Sequence, residues 1–351
     1  MGVESNPIVA LLGTGGGYGE AIVLRVHERY WIVVDSCENP QTGENLPIGY
    51  LLSKDVDIAN DVKYVVCTHW HSDHIRGLDK VIDSCKSADM ICAIPSDKEK
   101  FLTYIMQEAT KSSQSSTDIF NNCVSLINNR HSKIRIAFPD RPLLNDKEKN
   151  IWIASLSPSE EVMRNFLLEQ YVPNIKSIYT PNDKCIVLLM NFNNHFVLLG
   201  GDLECSGWVA IMNDSQLIND GLVEVFKVPH HGSDNGYVDD FWVKHVSTDV
   251  ITHLSAYNRG SQKLPTAEML KLYTEKSKEV YMTSVSTIDK VKMKERNLTI
   301  KKVIKDVNKS VTEIPYLYGL VESELCMDKE PVIWQTKLYG SAVQVEKEQQ
   351  S

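Results

Sequence analysis

Positions 67–77 read CTHWHSDHIRG and place three histidines and one aspartate within six residues. His69, His71, Asp73 and His74 offer imidazole nitrogens and a carboxylate, which are donor groups that zinc, manganese and iron take from proteins. His69 and His71 are two residues apart, so an extended or turning backbone can direct both rings at one cation, while Asp73 and His74 can serve a second. A soluble domain gains little from three imidazoles in one loop, and the spacing therefore predicts a metal site.

The candidate ligands all follow apolar segments that are predicted to be buried strands. The histidine cluster follows VKYVV, and further candidates follow YWIVV, FVLLGG and VEVFKVP, namely Asp35, Asp202 and the pair His230-His231. Strand ends in sheet-based enzymes are places where side chains from distant parts of a chain converge. A single aspartate after a strand is usually a turn or cap residue. The shared position of these groups after strands therefore indicates one common site.

The segment GTGGGYGE, at positions 13–20, is not interpreted as a nucleotide-binding loop. A G-x-G-x-x-G pattern beginning at Gly13 requires a glycine at position 18, where Tyr18 stands, and no helix is predicted to follow. We expect these glycines to let the backbone turn tightly beside a functional site.

The composition is that of an ordinary globular protein. The 351 residues are 42% hydrophobic and 24% charged, and no apolar run approaches the roughly 18 residues of a membrane span. The start of the chain lacks the basic and apolar segments of a signal peptide, and the eight cysteines show no C-x-x-C spacing, which indicates reduced thiols. These features predict a cytoplasmic protein without a membrane partner.

The charge distribution bears on nucleic acid as a possible ligand. The net charge of −9 disfavours a general affinity for nucleic acid. Residues 289–309 are an exception, because eight basic residues stand there against three acidic ones. This segment is interpreted as either a solvated face, which is the usual meaning of a charge run, or a surface that guides a polyanionic substrate.

Strand-like and helix-like segments alternate along the chain, and several strands also pair as hairpins. Asn193-Asn194 is predicted to be the turn of one hairpin. The helix that begins SPSEEV is predicted to be capped by Ser157, with Glu160 completing a capping box, and residues 97–130 are predicted to be a helical insertion. The mixture predicts an α+β fold in which two mixed β-sheets pack face to face with helices outside.

Three motifs resemble those of the metallo-β-lactamase superfamily. THWHSDHIRG resembles its H-x-H-x-D-H motif, LLGGDLE resembles the later strand that ends in a metal-bridging aspartate, and FKVPHHGS resembles the K-V-P-H-H-G-S motif of the ComEC-type branch. The order and approximate spacing agree over about residues 7–285. The resemblance implies the αββα sandwich of that superfamily for residues 1–285, with residues 286–351 as a basic and β-rich extension packed on the same domain.

The resemblance also implies roles for individual residues. The six implied ligands of two divalent ions are His69, His71, Asp73, His74, Asp202 and His230. The first two would hold one ion and the next two the other, with Asp202 as a bridge. Asp35 would orient ligand imidazoles. Asp73 and His231 would be catalytic, with His231 donating to a developing oxyanion or a phosphate. Zinc is the favoured metal, with manganese or iron as alternatives.

Two departures from the superfamily pattern affect the substrate side of the site. Many members supply another histidine between the cluster and the bridging aspartate, whereas this chain offers Asn182, as ComEC-type proteins do. Related domains often carry a histidine at the position of Leu264. The candidate substrate-binding residues are therefore Asn182, Ser233, Tyr257, Asn258 and Arg259.

The implied reaction is hydrolysis by a metal-activated water, with a phosphodiester as the leading substrate class and nuclease activity as the first hypothesis. One alternative is hydrolysis of a small ester such as a cyclic nucleotide, a phosphocholine ester or a lactone. The other is a non-catalytic subunit of a larger complex that keeps the fold. Nucleic acid is thus a candidate partner as substrate, and the C-terminal extension is a candidate surface for a protein partner, while the oligomeric state is left open.

Overall fold

The computed structural model describes residues 5–14, 19–40, 42–93, 114–130, 132–172, 178–258, 263–284 and 318–347. Three of the sequence-based predictions lie outside these residues: the substrate contact Arg259, the basic segment 289–309 and the first part of the helical insertion, 97–113.

The described residues form two eight-stranded sheets. In chain order the strands are β1 (Ile8–Thr14), β2 (Gly19–His27), β3 (Tyr30–Val34), β4 (Val62–Cys67), β5 (Asp89–Cys92), β6 (Ile134–Ile136), β7 (Arg141–Asp146), β8 (Ile151–Ser157), β9 (Val187–Phe192), β10 (His195–Leu199), β11 (Val223–Lys227), β12 (Val246–Leu254), β13 (Glu279–Met282), β14 (Tyr318–Cys326), β15 (Ile333–Gly340) and β16 (Val343–Val345). The first sheet has the order β15-β14-β1-β2-β3-β4-β5-β6, and the second has the order β16-β13-β12-β11-β10-β9-β8-β7.

Both sheets are mixed. In the first sheet β3 to β6 are parallel neighbours, while the pairs from β15 to β3 are antiparallel. In the second sheet β10 to β13 are parallel neighbours, and β7 to β10 and β16 pair antiparallel. The predicted α+β sandwich of two mixed sheets is confirmed.

Helices cover the outer faces of the sheets. In chain order they are α1 (Leu46–Ser53), α2 (Ile58–Asp61), α3 (Ser72–Ile75), α4 (Leu78–Ser84), α5 (Gln114–Asn128), α6 (Glu160–Tyr171), α7 (Cys205–Asp214), α8 (Asp239–His245) and α9 (Ala267–Lys276). Short 3₁₀ turns lie at Asn182–Lys184, Leu217–Asn219, His230–Gly232 and Asp234–Gly236. None of the helices in the described ranges is long and apolar enough to cross a membrane.

Three apolar layers hold the sandwich together, and β1 shows how the sequence builds them. Ile8, Ala10 and Leu12 pack against helices on the outer side of the first sheet, whereas Val9 and Leu11 pack between the two sheets. Successive strand residues point to opposite faces, so a strand with both faces covered is apolar throughout rather than alternating. A third layer lies between the second sheet and its helices, around residues such as Trp208, Phe226 and Tyr273.

Of two local predictions, the hairpin turn is right and the helix cap is wrong. The Asn193-Asn194 hairpin is confirmed, with both residues at positive φ (53° and 72°), as its tight turn requires. The predicted capping box is wrong, because helix α6 is capped by Ser159, whose Oγ accepts a hydrogen bond from Val162 N. Ser157 instead donates to the carbonyl of Cys185, 2.8 Å away. A serine two positions after the predicted cap therefore serves the helix, while Ser157 stays in β8.

The C-terminal residues add strands to both sheets. β14 pairs antiparallel with β1 over seven residues, from Ile8 opposite Glu324 to Thr14 opposite Tyr318. β16 pairs with β13 at the edge of the second sheet. The sequence patterns did not predict the edge strand β7 or helix α1. The helix begins after Asn45, whose side chain accepts from Ile48 N.

Candidate metal centre

Parallel pairing brings the predicted ligand segments to one end of the sandwich. β3 and β4 run parallel in the first sheet, and β10, β11 and β12 run parallel in the second. Asp35 and His69 follow the first pair, and Asp202 and His231 follow two strands of the second set. The carboxyl ends of parallel strands lie at one edge, and here the edges of two facing sheets meet. The site therefore forms between the sheets.

Two groups of ligand atoms meet there, each within 4.8 Å. They are His69, His71 and Asp202, and Asp73, His74 and His231. Asp202 reaches both groups, because its Oδ2 is 3.8 Å from His69 Nε2 and its Oδ1 is 3.3 Å from His74 Nε2. In the second group His231 Nε2 is 3.4 Å from Asp73 Oδ2. Asp202 thus occupies the position between the groups that the sequence predicted for a bridging ligand.

The polar atoms of this cluster are incompletely satisfied by the protein. His74 Nε2, Asp202 Oδ1 and His231 Nε2 are buried and have no hydrogen-bond partner among the described residues. Leaving a buried polar atom unpaired costs about 1–3 kcal/mol. Divalent cations would satisfy all three atoms at once, and a set of imidazoles with carboxylates suits zinc. The residues present therefore fit a metal centre.

Asp35 holds two of the imidazoles in a defined orientation. Its Oδ1 accepts from Thr68 N at 2.8 Å, and its Oδ2 accepts from Thr68 Oγ1 at 2.6 Å and from His74 Nδ1 at 2.8 Å. The single Thr68 hydroxyl proton goes to Asp35, so Thr68 Oγ1 accepts from His69 Nδ1, 3.1 Å away. Both rings then carry a proton on Nδ1 and turn Nε2 towards the cluster. This geometry agrees with the orienting role predicted for Asp35.

Electrostatics favour the metal-binding form for some of the ligands. Burial lowers the pKa of His69 well below its usual value, and it also lowers the pKa of His71, so both rings are neutral. Burial alone would raise the pKa of Asp202, but the charge of His74 and its hydrogen bond to Asp202 outweigh burial and hold this pKa well below its usual range. Deprotonated imidazoles and ionised carboxylates are the ligating forms.

Burial alone would lower the pKa of His74, but the charges of Asp202 and Asp35 raise it well above its usual value. Burial alone would also lower the pKa of His231, but its hydrogen bond to Asp73 and the charge of Glu20 raise it.

A glycine shapes the approach to Asp202. Gly201 has a φ of 51°, and a Cβ at this position would overlap Cys185 Sγ. The turn lets Asp202 N donate to Cys185 Sγ at 3.1 Å while its carboxylate enters the cluster. The following helix α7 is capped at Glu204, so the alternative of Asp202 as a helix cap does not apply.

The turn after β11 separates the roles of the two adjacent histidines. His230, His231 and Gly232 have φ values of 48°, 54° and 75°, so three consecutive residues are left-handed. Non-glycine residues in this conformation are strained by about 1–3 kcal/mol each, and such strain collects at functional sites. The His231 ring is buried, whereas the His230 side chain is 23% exposed and its Nδ1 lies 3.0 Å from Asn235 Oδ1.

The structure therefore places His231, and not His230, with Asp73 and His74. This differs from the prediction of His230 as the ligand and His231 as the donor to substrate. The sequence cannot distinguish the two, because the direction of neighbouring side chains depends on the backbone angles of the turn.

Glu20 is the residue that sequence reasoning missed. It begins β2, is buried, and lies with His74 and Asp202 in a third group of ligand atoms within 4.8 Å. Its carboxylate forms an ion pair with Lys227 and accepts a hydrogen bond from Ser255. Burial alone would raise the pKa of Glu20, but the charges of Lys227, His231 and His74 lower it. The available signal was Lys227 inside the apolar strand VEVFKV, because a buried lysine requires a partner.

The predicted substrate contacts lie at different places. The Tyr257 ring is 5.1 Å from the His231 ring and so borders the cluster. Asn182 is buried and donates to Glu204 Oε1 at 3.0 Å, while its Oδ1 has no partner within the described chain. Ser233 donates to Asp234 Oδ1 at 3.2 Å, and Asn258 Oδ1 is also unpaired among the described residues.

Comparisons with known proteins agree with this site. A family model described as the metallo-beta-lactamase superfamily matches residues 14–98, which include Glu20, Asp35 and the histidine cluster. No curated protein shows significant similarity to the chain. The match covers the start of the first sheet, from the end of β1 to beyond β5.

Several solved structures are similar to parts of the chain at low identity. A putative metallo-beta-lactamase from Thermotoga maritima is 15% identical, with 55% of this chain and 79% of that chain covered and a TM-score of 0.33. The metallo-beta-lactamase fold protein YhfI from Bacillus subtilis is 12% identical, with 70% and 85% covered and a TM-score of 0.36. Zn(2+)-bound PqqB from Methylobacterium extorquens is 9% identical, with 69% and 78% covered and a TM-score of 0.36.

Proposed function

We propose that this protein is a metal-dependent hydrolase of the ComEC-type branch that cleaves phosphodiester bonds. The observation that carries the proposal is the pair of ligand groups joined by Asp202, in which three buried ligand atoms have no hydrogen-bond partner among the described residues. Zinc is the favoured metal because the set is rich in imidazole. Manganese or iron would suit the same donors.

Each ligand group would hold one cation. His69, His71 and Asp202 would hold the first, and the second would be held by Asp73, His74 and His231, with Asp202 shared. A pair of bound divalent cations lowers the pKa of water toward neutrality and stabilises the charge that develops during an in-line displacement.

The chain's own groups would bind and orient the substrate around this centre. His230 lies at the partly exposed rim with an imidazole that can donate to a phosphate oxygen. Tyr257 would flank the substrate beside His231. A donor aimed at a developing negative charge is typically worth about a hundred- to a thousand-fold in rate. We therefore assign to His230 the role that the motif implied for His231, which is donation to a developing oxyanion or a phosphate.

The alternatives differ in bond and in catalysis. A small phosphodiester, a phosphocholine ester or a lactone would use the same centre, and a non-catalytic subunit would keep the fold without turnover. Six acidic and histidine residues meet in the two ligand groups, which favours catalysis. The HHGS motif and the basic segment 289–309 favour a phosphodiester and a polyanionic substrate.

Metal analysis of the purified protein is the first test. We expect up to two divalent ions per chain by elemental analysis, together with hydrolysis of bis(p-nitrophenyl) phosphate and a preference among single-stranded DNA, duplex DNA and RNA. The double variant His69→Ala, Asp73→Ala should lose metal and activity. His195→Ala is the matched control, since that ring pairs with Glu224 away from the cluster. Unchanged metal content in the double variant would refute the assignment.

The basic segment separates a polymeric substrate from a small one. Replacing Lys290, Lys292, Lys294 and Lys301 by Glu should weaken nucleic-acid binding and flatten its dependence on salt, because fewer counterions are released. Hydrolysis of bis(p-nitrophenyl) phosphate should change little. An unchanged salt dependence of nucleic-acid binding would favour the interpretation of residues 289–309 as a solvated face, and with it the small-ester alternative.

A further inference from the structure

A second chain of hydrogen bonds stands behind His231. Ser255 follows β12, and its Oγ lies 2.9 Å from His231 Nδ1. The same hydroxyl donates to Glu20 Oε2. A serine hydroxyl has one proton. Because that proton goes to the carboxylate, Ser255 Oγ accepts from His231 Nδ1, and the His231 ring carries its proton there.

The other ring nitrogen of His231, Nε2, then faces the cluster. Its Nε2 is buried, has no hydrogen-bond partner in the described part of the chain, and lies 3.4 Å from Asp73 Oδ2. Glu20 Oε2 is also 3.5 Å from His231 Nδ1, so the carboxylate stabilises the Nδ1 proton directly as well as through Ser255.

Lys227 allows a carboxylate to be buried at this place. Glu20 and Lys227 are both almost completely buried, and they form an ion pair between the two sheets. Removing one partner of a buried pair would leave an uncompensated charge. The Lys227 ammonium also donates to the carbonyl of Gly201 at 3.3 Å, which is the residue before Asp202. One lysine therefore supports both Glu20 and the turn that presents Asp202.

We propose that Glu20, Ser255 and Lys227 are positioning residues that hold His231 with its Nε2 free to bind a cation. We call these three residues the Glu20 relay. This inference rests on the proposed metal centre, and it assigns His231 a support in which Glu20 comes from the opposite sheet. Outer partners of this kind typically change metal affinity or activity by about 10- to 100-fold when they are removed.

The variant Ser255→Ala tests the relay with least disturbance. We expect the dissociation constant of the second zinc ion, measured by chelator competition, to rise about 10- to 100-fold, while the first ion binds as in the wild type. The absorption spectrum of the cobalt(II)-loaded protein should change for the second ion only. Ser255→Thr, which keeps the hydroxyl, should restore both readings.

Ser277→Ala is the matched control, because it removes an equally buried hydroxyl whose partner is Thr252, 2.7 Å away on β12. It should lower stability without changing either dissociation constant or the cobalt spectrum. Equal changes in Ser277→Ala and Ser255→Ala would show a merely structural effect and overturn the relay.

The double variant Glu20→Gln, Lys227→Met removes the buried pair without leaving a lone charge. It should weaken binding of the second ion as Ser255→Ala does. Adding Ser255→Ala to the double variant should lower the affinity for that ion little further, since all three changes break one chain of contacts. If the double variant does not fold, Ser255→Ala decides alone. If the wild type binds zinc and Ser255→Ala leaves both dissociation constants unchanged, the relay is overturned and the proposed function still stands. Wild-type protein that binds no divalent ion would overturn the proposed function itself.

Discussion

Two carboxylates support the candidate metal centre, Glu20 on β2 and Asp35 directly after β3, and both come from the first sheet. Each reaches an imidazole through a hydroxyl, Asp35 through Thr68 to His69 and Glu20 through Ser255 to His231. The Asp35 chain joins the ends of neighbouring parallel strands of one sheet. The Ser255–Glu20 contact spans 235 positions in sequence and joins two sheets. The same chemistry can thus be built locally or by packing alone.

The two carboxylates also differ in how their charge is tolerated. Burial raises the pKa of Asp35, against which the charge of His74 and hydrogen bonds from His74 and Thr68 act. Glu20 has Lys227 beside it, and its pKa is lowered in spite of burial. Asp35 therefore depends on the ligand imidazole itself for compensation, whereas Glu20 has a dedicated cation. We expect Asp35 to be the more sensitive of the two to changes in the cluster.

The largest expected effect separates the adjacent histidines of the β11 turn. His231→Ala should lose one bound ion and most activity, because it removes a ligand of the second group. His230→Ala should keep near-normal metal content and lose turnover by about a hundred- to a thousand-fold, as for a lost donor to a developing charge. Metal analysis and steady-state kinetics on the same preparations distinguish them. Metal loss in His230→Ala with metal retained in His231→Ala would reverse the two roles.

The next effect compares the two carboxylates directly. Asp35→Asn should lower the affinity for both ions by about 10- to 100-fold, because Asp35 orients His74 directly and His69 through Thr68. The Ser255→Ala variant should lower the affinity for the second ion only. Zinc titration with a competing chelator measures both constants, and Asp89→Asn, at a carboxylate paired with Arg135, serves as the control. A selective effect of Asp35→Asn on one ion would mean that Thr68 does not transmit its orientation to His69.

The smallest effect concerns a second contact between the sheets, made by His253. His253 on β12 is buried, its Nε2 lies 2.8 Å from Ser323 Oγ on β14, and burial lowers its pKa to about 3. In the unfolded chain a histidine gains its proton near pH 6.5. The contribution of neutral His253 to the free energy of unfolding is therefore fully present above pH 6.5. It is lost as pH falls from there toward 3, by up to about 1.4 kcal/mol per pH unit.

Urea unfolding of chelator-treated protein at pH 7 and pH 5 measures this loss. We expect about 2 kcal/mol less stability at pH 5 from His253. The variant His253→Gln keeps a polar group without a proton to gain, and it should be correspondingly less sensitive to pH than the wild type. His195→Gln, on the half-exposed ring paired with Glu224, controls for removal of a histidine elsewhere. Equal pH dependence in the wild type and His253→Gln would contradict the prediction.

Much of the fold and most of the candidate ligands were predictable because they depend on local pattern. Continuous apolar strands such as β1 are what a two-sided sheet requires, and Asn193-Asn194 favours a tight hairpin by its own backbone preference. His69, His71, Asp73 and His74 lie within one loop, so their spacing alone brings them together. Asp35 and Asp202 could be added because each follows a strand.

The sequence by itself determined the sandwich of mixed sheets and the strand-end ligands, since period and spacing act over a few residues. Tertiary structure alone decided which histidine of the β11 turn enters the cluster, because three consecutive left-handed residues set the direction of each ring. It alone also decided the role of Glu20. A glutamate acquires such a role only when packing buries it against Lys227 and Ser255 from the other sheet, and no local pattern encodes a contact between distant strands.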